Sequence, residues 1–127
     1  MLRELDVALD AEHRISVTEF DVLITLDNAP DRQLRMTDLA RATLLSSGGL
    51  TRLAGRLETR GLIRREPDRD DGRAFRATLT EDGAELLAQA RVTHDAVLQR
   101  MIAANLSNRE LRALEGALEK VLSGNEL

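Results

Sequence analysis

From Ser46 to Gly83 the chain reads SSGGLTRLAGRLETRGLIRREPDRDDGRAFRATLTEDG. No other stretch limits the fold as tightly. Leu50, Leu53, Ala54 and Leu57 recur at the spacing of one helix face. Ser46 stands where an N-cap belongs, and Gly61 where a left-handed residue would end the helix. Ile63 opens a short β run. Phe75, Ala77 and Leu79 alternate inward in a second, which leaves Arg64, Arg76 and Thr78 outward. Between the two runs lies the seven-residue loop Pro67–Arg73, made of Pro, Asp, Gly and Arg.

A helix followed by a charged hairpin is the outline of a winged helix-turn-helix, which places a helix in a DNA major groove and a hairpin on the flanking backbone. The charge distribution agrees. Residues 46–79 hold eight arginines against five acids, a net of +3, in a chain whose total is −4, so the remainder carries −7. Positive charge gathered on one segment of an acidic chain is expected where one face meets phosphate.

Composition narrows the alternatives. At 127 residues the chain holds one domain, and 43% apolar against 31% charged residues is a globular balance. Without cysteine there is no disulfide framework, thiolate zinc site or thiol redox switch. Phe20 and Phe75 are the only aromatic side chains, too few for a pocket that stacks ligands between rings. No apolar run approaches bilayer length, and the acidic start MLRELDVALDAEHR does not fit a signal peptide. The expectation is a cytoplasmic protein with no membrane partner.

Outside the central segment the pattern is helical. Leu2, Leu5 and Leu9 mark a short first helix. Ser16 and Glu19 form a capping box with Ile15 and Phe20 as its staple, and Asn28-Ala29-Pro30 stops the second helix. Thr37 begins the short helix TDLARAT with Leu39 and Ala40 inward, and Thr43–Leu45 turns toward Ser46. Thr80 caps a long helix to about Ala104. Ser107 and Glu110 form a second capping box before a last helix carrying Leu111, Leu114, Leu118, Val121 and Leu122. The predicted fold is mainly α with a small β-hairpin wing (α+β). Helical segments at about 1–15 and 84–127 flank a winged helix-turn-helix at about 16–83. Their apolar faces exceed what a monomer of this size covers and imply a homodimer.

This order of elements resembles the MarR family of winged-helix transcriptional regulators. The resemblance is carried by ISVTEFDVL, MTDLARAT, GGLTRLAGRLETRGLIRR and PDRDDGRAFRATLTEDG, and it covers nearly the whole chain. The family's first helix usually begins further upstream, and its wing often has arginine where this chain has Gly72. The resemblance implies a dimeric repressor of pseudo-palindromic double-stranded DNA. It also implies a small-molecule effector bound between the dimerisation helices and the DNA lobe.

Residues are assigned on chemistry. Ser46, Ser47 and Gly48 make a slim helix start with free amides suited to phosphate. Ser47 and Thr51 can meet base edges, and Arg52 or Arg56 can fork onto guanine O6 and N7. Arg69 and Arg73 of the loop suit phosphate or a narrow minor groove. Asp68 and Asp71 are read as structural, bonding loop amides, with Asp71 also able to pair with Arg73 or an arginine of the recognition helix. An anionic effector would suit the arginine content, with Arg14 a candidate partner. His13 and His94 lack a second ligand at helical spacing, so no metal is expected, nor any other cofactor. No nucleophile elbow or glycine-rich phosphate loop is present, which disfavours an enzyme. A winged-helix protein-interaction module is the rival reading, but it has no need of arginines on both helix and wing.

Overall fold

The computed structural model describes residues 2–125, with side chains described from residue 3 to residue 121. Leu2 and Leu122, assigned above to apolar faces, lie outside the described side chains. The elements are α1 (Leu2–His13), α2 (Val17–Asp27), a tight turn at Pro30–Arg32, β1 (Gln33–Arg35), α3 (Met36–Thr43) and α4 (Ser47–Thr59). They continue with β2 (Ile63–Pro67), β3 (Phe75–Leu79), α5 (Glu81–Asn105) and α6 (Asn108–Asn125).

Side-chain caps set most helix starts. Ser16 Oγ accepts from the Glu19 amide at 3.0 Å while Glu19 Oε1 accepts from the Ser16 amide at 3.1 Å, the expected capping box of α2. Ser46 accepts from Gly49 N, Thr80 from Gly83 N, and Ser107 pairs reciprocally with Glu110. The short helix differs from expectation. It begins at Met36 with Arg35 as a cap that supplies no side-chain bond.

The carboxyl end of α4 closes as a Schellman motif. Gly61 at φ +73° donates to Glu58 O, and Leu62 donates to Leu57 O. The next residues lock it to α5. Thr80 donates its hydroxyl to Gly61 O at 2.7 Å, and its amide donates to Leu62 O. Gly83 sits so close that an added Cβ would lie 2.1 Å from Leu62 O. Only glycine allows that approach.

The sheet is antiparallel with strand order β1-β3-β2. The third strand was not anticipated, because Gln33–Arg35 is too short to show an alternation. Leu34 pairs with Ala77 on one side of β3, and Arg65 pairs with Ala77 on the other. Ala77 and Leu79 point into the core as expected. Phe75 does not. It shares their face, but it lies beyond the last β1 pairing at Arg35–Arg76 and is 51% exposed. Period-two alternation assigns a face, not the presence of something beneath it.

One core joins the elements. Leu9, Leu23, Leu26, Leu39, Leu50, Leu57 and Leu87 are fully covered. α1 packs on α5 and α2, α4 packs on α3 and β2, and α6 packs substantially on no other element. The outer part of α6, with Leu114, Leu118 and Val121, remains exposed.

Candidate nucleic-acid interface

The predicted readers lie on the outer face of α4. Leu50, Leu53, Ala54 and Leu57 turn inward, so Ser46, Ser47, Gly48, Thr51, Arg52 and Arg56 are all exposed. Ser46 Oγ accepts the Gly49 amide as N-cap, which leaves its hydroxyl hydrogen free for a phosphate oxygen. Thr51 Oγ1 donates to Ser47 O at 2.8 Å. In that rotamer its hydroxyl can only accept from a partner, an exocyclic amine for instance. Around Gly48 an added Cβ would meet nothing within 4 Å.

Neighbouring acids are otherwise engaged. Glu58, on the same helix, receives Arg65 from β2. Oε1 accepts from Nε at 3.2 Å and from Nη2 at 2.9 Å, and Oε2 accepts from the Arg65 amide at 3.1 Å. The hydrogen bonds from the Arg65 side chain hold the Glu58 carboxyl below its ordinary pKa, against a smaller opposing effect of burial. This pair fastens the root of the hairpin to α4. Among the described residues, Arg52 and Arg56 have no acidic partner.

In the wing, Asp71 behaves as expected, with Oδ1 accepting from the Arg73 amide at 3.0 Å. Its side chain reaches no arginine of α4. Asp68 is structural too, but by a different route from loop-amide bonding alone. Its side chain is fully covered, with Oδ1 accepting from Arg76 Nε at 2.8 Å and Oδ2 lying 2.8 Å from Arg35 Nη2. Oδ2 meets Arg35 as a charge contact rather than an aligned hydrogen bond. Burial pushes this carboxyl up. The Arg76 bond and the charges of Arg35 and Arg76 outweigh that, so it is held below the ordinary carboxylate range. Arg76, read above only as outward-facing, is thus an internal partner, and Arg35 was missed altogether. The Asp68 amide donates to Ala74 O at 2.8 Å and closes the loop. Arg69 and Arg73 stand exposed at its tip without ion pairs among the described residues.

Away from this face, His13 Nε2 lies 2.7 Å from Thr93 Oγ1, and Thr93 donates to Glu12. Thr93 has one hydroxyl proton, so the hydrogen between it and His13 belongs to the imidazole. His94 stacks on Phe20 with ring centroids 5.3 Å apart. Among the described residues no group of three or more His, Asp or Glu is placed to hold a metal ion. A groove of about 400 Å³ runs between α1, α2 and α5, with Phe20, Ile24 and Met101 in its apolar wall and Thr18, Asp21 and His94 as polar groups. Arg14 is not among its lining residues. No helix of the described chain is long and apolar enough to cross a membrane.

Comparison with known proteins agrees with this architecture. The MarR family model matches residues 15–74. The multiple antibiotic resistance protein MarR of Salmonella typhimurium is 32% identical over 108 residues, which cover 85% of this chain and 74% of that protein. The transcriptional repressor MprA of Escherichia coli is 34% identical over 109 residues, 86% of this chain and 61% of MprA. Sco3205, a MarR family transcriptional regulator from Streptomyces coelicolor solved in complex with DNA, superposes with a TM-score of 0.78. It is 28% identical, and the match covers 96% of this chain and 76% of Sco3205. With a covered core, a hairpin fastened to the helix before it, and these relatives, the chain belongs to the MarR family of winged-helix transcriptional regulators.

Proposed function

We propose that the protein is a dimeric, sequence-specific binder of pseudo-palindromic duplex DNA that represses transcription and is released by a small ligand. One observation carries the DNA reading. Glu58, Asp68 and Asp71 are each engaged inside the protein, while Arg52, Arg56, Arg69 and Arg73 are exposed and unpaired among the described residues. These three acids hold the wing, Asp70 stands exposed beside them, and the free cations face out. Residues 16–83 then form the DNA lobe, and segments 1–15 and 84–127 the dimerisation lobe, at work in the cytoplasm where the DNA lies. We assign no catalytic step.

Effector binding is assigned to the groove beside Phe20. The anionic effector expected from the arginine content needs a cation beside the apolar wall. The groove offers Asp21 and His94 in place of arginine, so a neutral or basic amphipathic molecule suits it better than an anion.

A fluorescence anisotropy series on DNA upstream of the protein's own coding region tests the binding reading. Affinity should fall with salt by a log–log slope of about −0.9 per phosphate neutralised. Arg52→Ala should cost about 1–3 kcal/mol on the specific site and less on random DNA. An equal loss on both reassigns Arg52 to phosphate, and no loss on either removes it from the interface. Salt-independent binding would instead favour a protein-interaction module.

A further inference from the structure

α4 and α1 belong to different parts of the fold. α4 packs on α3 and β2, and α1 packs on α5 and α2. The Arg60 side chain ties them together. Arg60, the C-cap of α4, donates through Nη1 to Arg14 O at 2.7 Å and through Nη2 to His13 O at 3.0 Å. Those carbonyls end α1, where a helix leaves its last acceptors without intrahelical partners and carries partial negative charge. Arg14 adopts φ +58°, so the chain turns sharply there.

Both ends of this contact are held. The Arg60 backbone is fixed by the Schellman closure at Gly61 and Leu62. The end of α1 is pinned to α5 by the His13–Thr93 bond. A guanidinium that grips two carbonyls at once restricts rotation as well as distance. A change in the tilt of α4 relative to α1 and α5 must therefore break or drag this contact.

We propose that Arg60 is a positioning residue that fixes the angle between the recognition helix and the dimerisation lobe, and so sets which half-site spacing the protein accepts. The inference rests on the dimeric, paired-half-site reading. Two recognition helices must meet successive major grooves about 34 Å apart. Moving one half-site by a single base pair shifts it by about 3.4 Å along the axis and rotates it by roughly a tenth of a turn. A rigid tie makes the protein sensitive to that change, and a loose one makes it tolerant.

The test uses an operator selected from random DNA by the full chain, two versions with half-sites one base pair closer or further apart, and a duplex with one half-site. Wild type is measured first. Without a spacing preference, the paired-half-site reading itself fails. With one, Arg60→Ala should lose about tenfold on the selected operator, the scale of a charged hydrogen bond. It should lose little on the single half-site and bind all three spacings almost equally. Arg60→Lys, which reaches one carbonyl, should keep part of the preference, and it carries the comparison if Arg60→Ala melts below the assay temperature. A variant that keeps the wild-type spacing preference overturns the proposal. So does an equal loss on the single half-site, which would put Arg60 on the DNA or in the fold.

Discussion

Leu44 turns the chain between α3 and α4 at φ +58° with its side chain 93% exposed. An L-residue in that conformation costs about 1–2 kcal/mol, and an exposed leucine recovers little by burial. Glycine would remove the strain but adds about 0.5–1 kcal/mol of unfolded-chain entropy. Leu44→Gly should therefore raise stability by about 0.5–1 kcal/mol, read as a higher denaturant midpoint at an unchanged slope. A lower midpoint would mean that the leucine packs in solution. The start of α4 separates folding from function differently. A methyl at Gly48 meets nothing within 4 Å, whereas one at Gly49 comes 3.0 Å from the capping Ser46 Oγ. Gly48→Ala should stabilise the helix by about 0.5–1 kcal/mol and yet weaken operator binding, because the added methyl sits where backbone would approach the groove. Gain in stability with full affinity would remove Gly48 from the interface.

At the level of elements, caps and inward leucines were readable because their signals are local. Ser16, Thr80 and Ser107 each bond a backbone amide three residues on. Asp68 was readable only as a structural loop acid. Its partners Arg35 and Arg76 come from two strands, one too short to announce itself, and their meeting depends on the β1-β3-β2 order. Exposed Phe75 failed for a related reason, since the end of β1 decides what lies beneath it. The Asp68 triad predicts a pH dependence. The carboxyl is held below its ordinary value in the folded protein. Its contribution is then fully present above the unfolded carboxylate pKa of about 3.9 and is lost as pH falls through the lower folded value. Asp68→Asn should be less stable than wild type by a constant margin from about pH 7 to pH 5, and the margin should shrink below about pH 4. Parallel melts of the two proteins check it. A margin that widens with acid would reverse the assigned shift. Arg69→Ala and Arg73→Ala should leave those melts unchanged while binding falls, since neither side chain is paired among the described residues.

For the whole molecule, the informative feature is the helix that the fold leaves uncovered. α6 carries leucines at 111, 114 and 118 and Val121, so its pattern is that of a helix with a buried face. Yet Leu118 is 52% exposed, Val121 is 58% exposed, and the helix packs substantially on no other element of its own chain. In proteins most helical stability comes from packing an amphipathic face rather than from propensity. Under the dimeric reading proposed above, a second copy would supply such a surface. The flank of α1 and α5, with exposed Val7 and a groove of about 820 Å³ reaching Met101 and Ala104, offers it a place to lie. The expected mass in sedimentation at micromolar concentration is that of a dimer. Leu118→Glu should then dissociate it, because burying an unpaired charge at an interface is costly. The helix-turn-helix region should survive, since Leu118 is not among the side chains packed against the core. Circular dichroism should show α6 partly lost while the main melting transition persists, and operator affinity should drop toward that of one half-site. A wild-type monomer with full operator affinity would refute the dimer. A Leu118→Glu protein with no folded lobe would show instead that α6 packs on its own chain.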